Sequence, residues 1–195
     1  MIEDSTLNRH DRNNPFSIAL PKKNLWVFGY GSLMWKPGFH HLESRPARLY
    51  GFSRRLCLWS IHYRGTPDRP GLVVGLIPGG SCHGMAFRLD DSNRDEALEY
   101  LYEREMTNDA YRPMLKNIYL DNGPKVSALT FVSRMDHSQF ASLTSENRII
   151  SIISNAQGPM GSNAEYVLNT VSHLDEIGIH DSRLHRIAER LQADS

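Results

Sequence analysis

Leu25-Trp26-Val27-Phe28-Gly29-Tyr30-Gly31-Ser32-Leu33 is the stretch whose reading decides the fold. Its first part is aromatic and β-branched and reads as a buried strand, and Gly31-Ser32 punctuates the end. A strand that ends in Gly-Tyr-Gly-Ser can turn successive backbone N–H groups outward, where they cradle an anion or a developing oxyanion. Glycine supplies the backbone freedom and the close approach that such a cradle needs. The same residues also make a plain tight turn, and both readings stand at this point. No Gly-Lys-Ser/Thr follows, so this is not a nucleotide P-loop, and the G-x-G-x-x-G spacing of a dinucleotide site fails.

Downstream, residues 48–61 read as a second strand and 62–71 as a loop rich in Gly, Pro and charge. Residues 72–77 form a short apolar run stopped by Pro78-Gly79-Gly80, and 84–89 a further strand. A helix opens at Asp91 or Ser92, with Ser92 and Asp95 as a capping pair, and runs through Glu105. Strands over 114–120 and 126–132 are joined by Asp121-Asn122-Gly123-Pro124, a turn sequence. The last third is helical: 146–155, a break at 157–161, a capping box Ser162-Asn163-Ala164-Glu165, an end near Gly178, and a final helix capped by Asp181. Strands, one helix, strands, then helices is an α+β order. Residues 1–23 are polar and read as a poorly ordered leader to a single domain over 24–195.

The bulk properties restrict the function. The chain has 195 residues, 40% hydrophobic and 23% charged, enough for one domain with a real core. Its 22 basic and 22 acidic residues leave no net charge, which argues against a nucleic-acid partner. No apolar run approaches the roughly 18 residues of a membrane span, and the N-terminus is not a signal peptide. Two cysteines make no disulfide framework. A cytoplasmic location follows by elimination. The histidines show no metal-ligand spacing, there is no His-Glu-x-x-His, and no Gly-x-Ser-x-Gly elbow appears. These patterns lead to the expectation that no catalytic metal is held and that the chain is not a serine hydrolase. Oligomeric state is not legible.

Glu105 is the most informative position. Leu98, Leu101, Tyr102 and Glu105 fall at i, i+3, i+4 and i+7, so an apolar stripe aims a carboxylate at the core side. Glu99 and Glu103 fall on the opposite face. Burial and the C-terminal end of the helix dipole both push the Glu105 pKa upward, toward values useful in proton transfer. The alternative is a salt bridge to Arg104, Arg112 or another arginine. Arg64, in the 62–71 loop, either holds a carboxylate or is solvated. Tyr111-Arg112-Pro113 follows the Glu105 helix and can return to the same site.

Four stretches, in order, resemble the ChaC-type γ-glutamylcyclotransferases. They are Trp26-Val27-Phe28-Gly29-Tyr30-Gly31-Ser32-Leu33-Met34-Trp35-Lys36-Pro37; Gly51-Phe52-Ser53-Arg54-Arg55 leading to Arg64-Gly65-Thr66-Pro67; residues 100–113 with Arg104-Glu105-Met106 at the centre; and Gly158-Pro159-Met160-Gly161-Ser162-Asn163-Ala164-Glu165-Tyr166, running on to Gly178-Ile179-His180-Asp181. The resemblance implies a small mixed β-barrel with flanking helices. It also implies cleavage of glutathione to 5-oxoproline and Cys-Gly, without cofactor or metal. By the same resemblance Val27, Phe28, Gly29, Tyr30, Gly31, Ser32 and Leu33 bind the γ-glutamyl group and Glu105 is the catalytic glutamate. By that resemblance Tyr166 contributes near the site, while Arg64 in its donor-rich loop and Tyr111 after the Glu105 helix are further expected substrate contacts on the reading of the residues themselves. Other γ-glutamyl amines, or a non-catalytic role in binding a small acidic ligand, are the competing expectations. The chain departs from relatives in Ser162-Asn163-Ala164, where an Arg often stands, and in Asn108-Asp109-Ala110, where a glycine often stands.

Overall fold

The computed structural model describes residues 14–193. Strands β1 (Trp26–Gly29), β2 (His41–Ser60), β3 (Gly71–Leu89), β4 (Tyr111–Leu120) and β5 (Lys125–Ser133) close into a barrel in the order β1-β3-β2-β4-β5. The barrel is mixed. β1 runs antiparallel to β3, with Trp26 opposite Arg88 and Gly29 opposite Met85, and parallel to β5, with Trp26 opposite Ala128. β2 is antiparallel to β4, with Ala47 opposite Leu120. The helices are α1 (Arg94–Glu105), α2 (Glu146–Asn155), α3 (Asn163–Glu176) and α4 (Ser182–Ala193), and two-residue strands β6 (Gln157–Gly158) and β7 (Gly161–Ser162) pair between α2 and α3. The α+β mixed barrel is as the sequence implies.

The chain forms two compact units. Among the described residues, one takes 14–52 together with Pro78–Val132, and the other takes Ser53–Ile77 and 133–193. The first has a core of Leu25, Val27, Leu33, Leu89, Leu98, Leu101, Leu129 and Phe131. A fully buried side chain of this size contributes about 1.5–3 kcal/mol. In the second unit α2, α3 and α4 pack on one another. Two polar devices are buried there. Asn163 accepts from Leu72 N at 2.6 Å and donates to Leu72 O at 2.8 Å, and Arg54 pairs with Asp181 at 2.9 Å. Asp181 also caps α4, its Oδ1 accepting from Leu184 N at 3.1 Å.

The structure departs from the sequence reading at several points. Residues 1–13 of the leader lie outside the described residues, but Phe16 and Leu20 are buried in the first unit's core rather than disordered. β2 starts at His41, ahead of the expected 48, because its early residues alternate between exposed and half-buried and so form no apolar run. Pro46 is tolerated because its carbonyl still accepts from Asp121 N at 2.8 Å. β3 does not stop at Pro78-Gly79-Gly80. Both glycines take positive φ, 104° and 73°, and carry the strand through a step that side chains rarely adopt. Helix α1 starts at Arg94 with Asn93 as its cap residue and no side-chain cap bond, while Ser92 N donates to Asp90 Oδ1 instead. The buried face of α1 is Arg94, Ala97, Leu98 and Leu101; Tyr102 is 42% exposed and touches Phe16 edge-on. The α3 capping box is half realised: Ser162 Oγ accepts from Glu165 N, but the Glu165 carboxylate goes to Arg64.

Candidate active site

The site begins where β1 ends. Trp26, Val27 and Phe28 are buried, which fixes the strand in the barrel wall. The chain then leaves through Tyr30 and Gly31 into a single 3-10 turn, Ser32–Met34. That turn folds back on the strand. A Cβ on Gly29 would lie 2.9 Å from Leu33 Cβ, so only glycine lets the turn approach this closely. The first internal bond of the turn runs from Met34 N to Gly31 O at 2.9 Å. The N–H groups of Ser32 and Leu33 therefore precede it and lie outside the turn's own bonding, as at any helix start. Leu33 is buried beneath the turn and Ser32 is exposed.

Glu105 is the last residue of α1. Its side chain is only 16% exposed, and Arg104 Nε lies 3.2 Å from its Oε1. Burial pushes the carboxyl pKa up, and the charge and hydrogen bond of Arg104 pull it back in part. The net direction is upward. The salt-bridge alternative to Arg104 is thus realised, and the carboxyl remains perturbed toward the neutral range. The Arg104 guanidinium also reaches the turn: Nη2 donates to Ser32 Oγ at 2.9 Å and Nη1 to Lys36 O at 2.7 Å. Candidate base and candidate cradle are joined through one side chain.

The remaining expected residues divide between the two units. Val27, Phe28 and Leu33 bury their side chains, so they can offer a ligand only backbone, and Phe28 O already accepts from Thr130 Oγ1 at 3.1 Å. Tyr30 Oη donates to Phe131 O at 2.7 Å, so its proton is committed within the barrel. Tyr111 opens β4 and packs half-buried on the core that holds Leu33 and Leu101. In the second unit Arg64 and Tyr166 meet, with the guanidinium 5.7 Å from the ring centroid. Arg64 Nη1 holds Glu165 of its own chain at 3.3 Å and Ser162 O at 3.3 Å. Tyr166 Oη accepts from Val74 N at 3.1 Å, and burial raises its phenol pKa. Among the described residues no three His, Cys, Asp or Glu side chains cluster as metal ligands, and no helix is long and apolar enough to cross a membrane. Sequence reasoning missed Asn163 as a buried backbone clamp and the reach of Arg104. The capping pattern hid the first, and the second needs contacts between residues 72 positions apart.

The closed barrel thus carries a glycine-bordered turn after β1, joined through Arg104 to a largely buried carboxyl at the end of α1. A family model described as ChaC-like protein matches residues 25–194. The glutathione-specific γ-glutamylcyclotransferase of Escherichia coli K12 is 36% identical over 160 residues, 82% of this chain and 69% of that protein. The glutathione-specific γ-glutamylcyclotransferase 1 of Danio rerio is 34% identical over 79% of this chain and 81% of its own length. A crystal structure of a yeast γ-glutamyl cyclotransferase specific to glutathione superposes with a TM-score of 0.78 at 23% identity, over 88% of this chain and 96% of that one. The chain belongs to the ChaC-like family.

Proposed function

We propose that this protein is a glutathione-degrading γ-glutamylcyclotransferase with Glu105 as its base. The observation that carries the reading is the largely buried carboxyl of Glu105, pushed up in pKa and tied through Arg104 to the turn after β1. The activities by which the relatives are named agree with it. Both cysteines are buried as thiols, which fits work in the reducing cytoplasm.

The reaction is an intramolecular aminolysis. Glu105 takes a proton from the substrate's α-ammonium. The freed amine attacks the side-chain carbonyl of the same γ-glutamyl residue, closing a five-membered ring. The tetrahedral oxyanion is held by the N–H groups of Ser32 and Leu33 beside Gly31. The bond to the cysteine nitrogen then breaks, and Glu105 returns its proton to that nitrogen, giving 5-oxoproline and Cys-Gly. The nitrogen of the new lactam has lost two protons, and the released amine regains both when it becomes an ammonium. Nucleophile and electrophile belong to one molecule, so folding the chain supplies up to about 7–11 kcal/mol. The Ser32 hydroxyl accepts from Arg104 and keeps its own proton to donate to the glutamyl carboxylate. Tyr166 is assigned a place near the site on the family resemblance, and Arg64 and Tyr111 are assigned to substrate contact on the sequence reading alone.

The test is to incubate the protein with millimolar glutathione and a chelator and to quantify 5-oxoproline and Cys-Gly, with other γ-glutamyl amines in parallel. Equal amounts of both products, abolished by Glu105→Gln, are expected. Lactam from other γ-glutamyl amines alone would remove glutathione from the assignment, and full activity in the Gln variant would remove Glu105.

A further inference from the structure

We propose that Arg104 is the positioning residue of this site, a single guanidinium that fixes the turn after β1 and the base at a set separation. The proposal rests on Glu105 being that base. Arginine has five N–H donors in one rigid plane. Nε points to Glu105 Oε1 at 3.2 Å. Nη1 takes Lys36 O at 2.7 Å and Tyr100 Oη at 2.9 Å, with Pro37 O further off at 3.4 Å. Nη2 takes Ser32 Oγ at 2.9 Å.

These partners come from both sides of the site. Ser32, Lys36 and Pro37 belong to the turn and the chain leaving it, while Tyr100 and Glu105 belong to α1. A cation near a helix C-terminus already has a favourable dipole interaction without any such partners. Arg104 is instead only 22% exposed and spends its donors on a segment 67 to 72 residues away. Tyr100 holds the guanidinium from the other side, with its ring centroid 5.9 Å from the Arg104 carbon. Among the described residues Arg104 is the charged group that acts on Glu105. Tyr100 and Tyr111 bring phenols to this core as partly buried residues, and Tyr102 touches its Phe16 edge-on.

The arrangement has two separable effects. The fork sets the distance between carboxyl and turn, and the charge favours the carboxylate form that can accept a proton. A lysine would keep the charge, but its ammonium is a point and cannot span Glu105, Ser32 and Lys36 together.

The experiment titrates Glu105 directly by carbon NMR of glutamate-labelled protein, with the signal identified by its loss in Glu105→Gln. Wild type, Arg104→Gln and Arg104→Lys are compared, each with a melting curve and a pH profile of kcat/KM. In Arg104→Gln the Glu105 midpoint should move to higher pH. The acid limb of kcat/KM should move with it, and kcat/KM at pH 7 should fall about tenfold or more, as misplacement of a reacting group does. In Arg104→Lys the midpoint should stay near that of wild type while the rate stays low. An unmoved midpoint in Arg104→Gln would overturn the proposal, as would a rate loss that only tracks a lower melting temperature. If wild type makes no lactam, the proposed activity fails, and the NMR midpoint still tests the coupling of Arg104 to Glu105.

Discussion

Replacing Glu105 by glutamine separates what the carboxyl does for catalysis from what it costs the fold. The amide matches the carboxyl in shape, and its oxygen can still accept from Arg104 Nε, now at 3.2 Å from Oε1. It cannot take a proton, so turnover should fall at least about a hundredfold, the usual size of a general-base contribution. Stability should move the other way. An unfolded glutamate titrates near its ordinary 4.5, and in the folded protein burial raises that midpoint. Below 4.5 both states hold the proton, and the wild type bears no penalty. Between the two midpoints the folded state keeps a proton that the unfolded state has released, so wild-type stability falls as pH rises. The slope is at most about 1.4 kcal/mol per pH unit. Above the folded midpoint the loss is complete and constant. Glu105→Gln has no proton to lose, so its stability relative to wild type should climb from about pH 4.5 and then level off. Urea melts of both proteins from about pH 3.5 to about pH 8 measure this difference. A flat difference, or a wild type that gains on the variant as pH rises, would refute the reasoning. The second outcome would mean that Arg104 outweighs burial at this carboxyl.

Three further outcomes follow from the geometry. Tyr30→Phe removes a buried bond to Phe131 O and should cost about 1 kcal/mol of stability with little change in turnover; a large fall in kcat would mean that this hydroxyl serves the substrate instead. Asn163→Ala orphans both backbone groups of fully buried Leu72 and should cost about 3 kcal/mol by denaturant melt; a loss below about 1 kcal/mol would show that the clamp is dispensable. Burial pushes the Cys57 thiol up to about 11, so the native protein at pH 8 should react slowly with a thiol reagent and quickly once unfolded; a fast native phase from Cys57 would contradict its burial.

Local signals made much of this protein readable. The apolar run of β1, the Asp-Asn-Gly-Pro turn before β5, the full extent of α2 and the Ser162 cap of α3 all appear where short-range chemistry puts them. The pairing of β1 with β5 does not, because nothing in Trp26–Gly29 names its partner strand. Pro-Gly-Gly signals a stop within β3, whereas the folded chain meets the demand for positive φ with the two glycines and continues. Phe16 and Leu20 looked like part of a leader because their core lies elsewhere in the sequence. At the site, helical spacing was enough to single out Glu105. Arg104 was visible only as its neighbour, since Ser32, Lys36 and Pro37 come to it by tertiary folding.

The parallel seam between β1 and β5 also governs how the chain acquires its structure. Tyr30 and Phe131, bonded along this seam, stand 101 residues apart, and the neighbouring bond from Thr130 to Phe28 spans 102. On a ribosome, β1 emerges long before its parallel partner exists, and it must wait as an unsealed apolar edge. Contacts of this range are slow to form, because loop-closure entropy is lost before they give anything back. Barrel closure is thus the expected slow step of refolding. Until it happens, Trp26–Gly29 keeps an open edge that can pair with another chain.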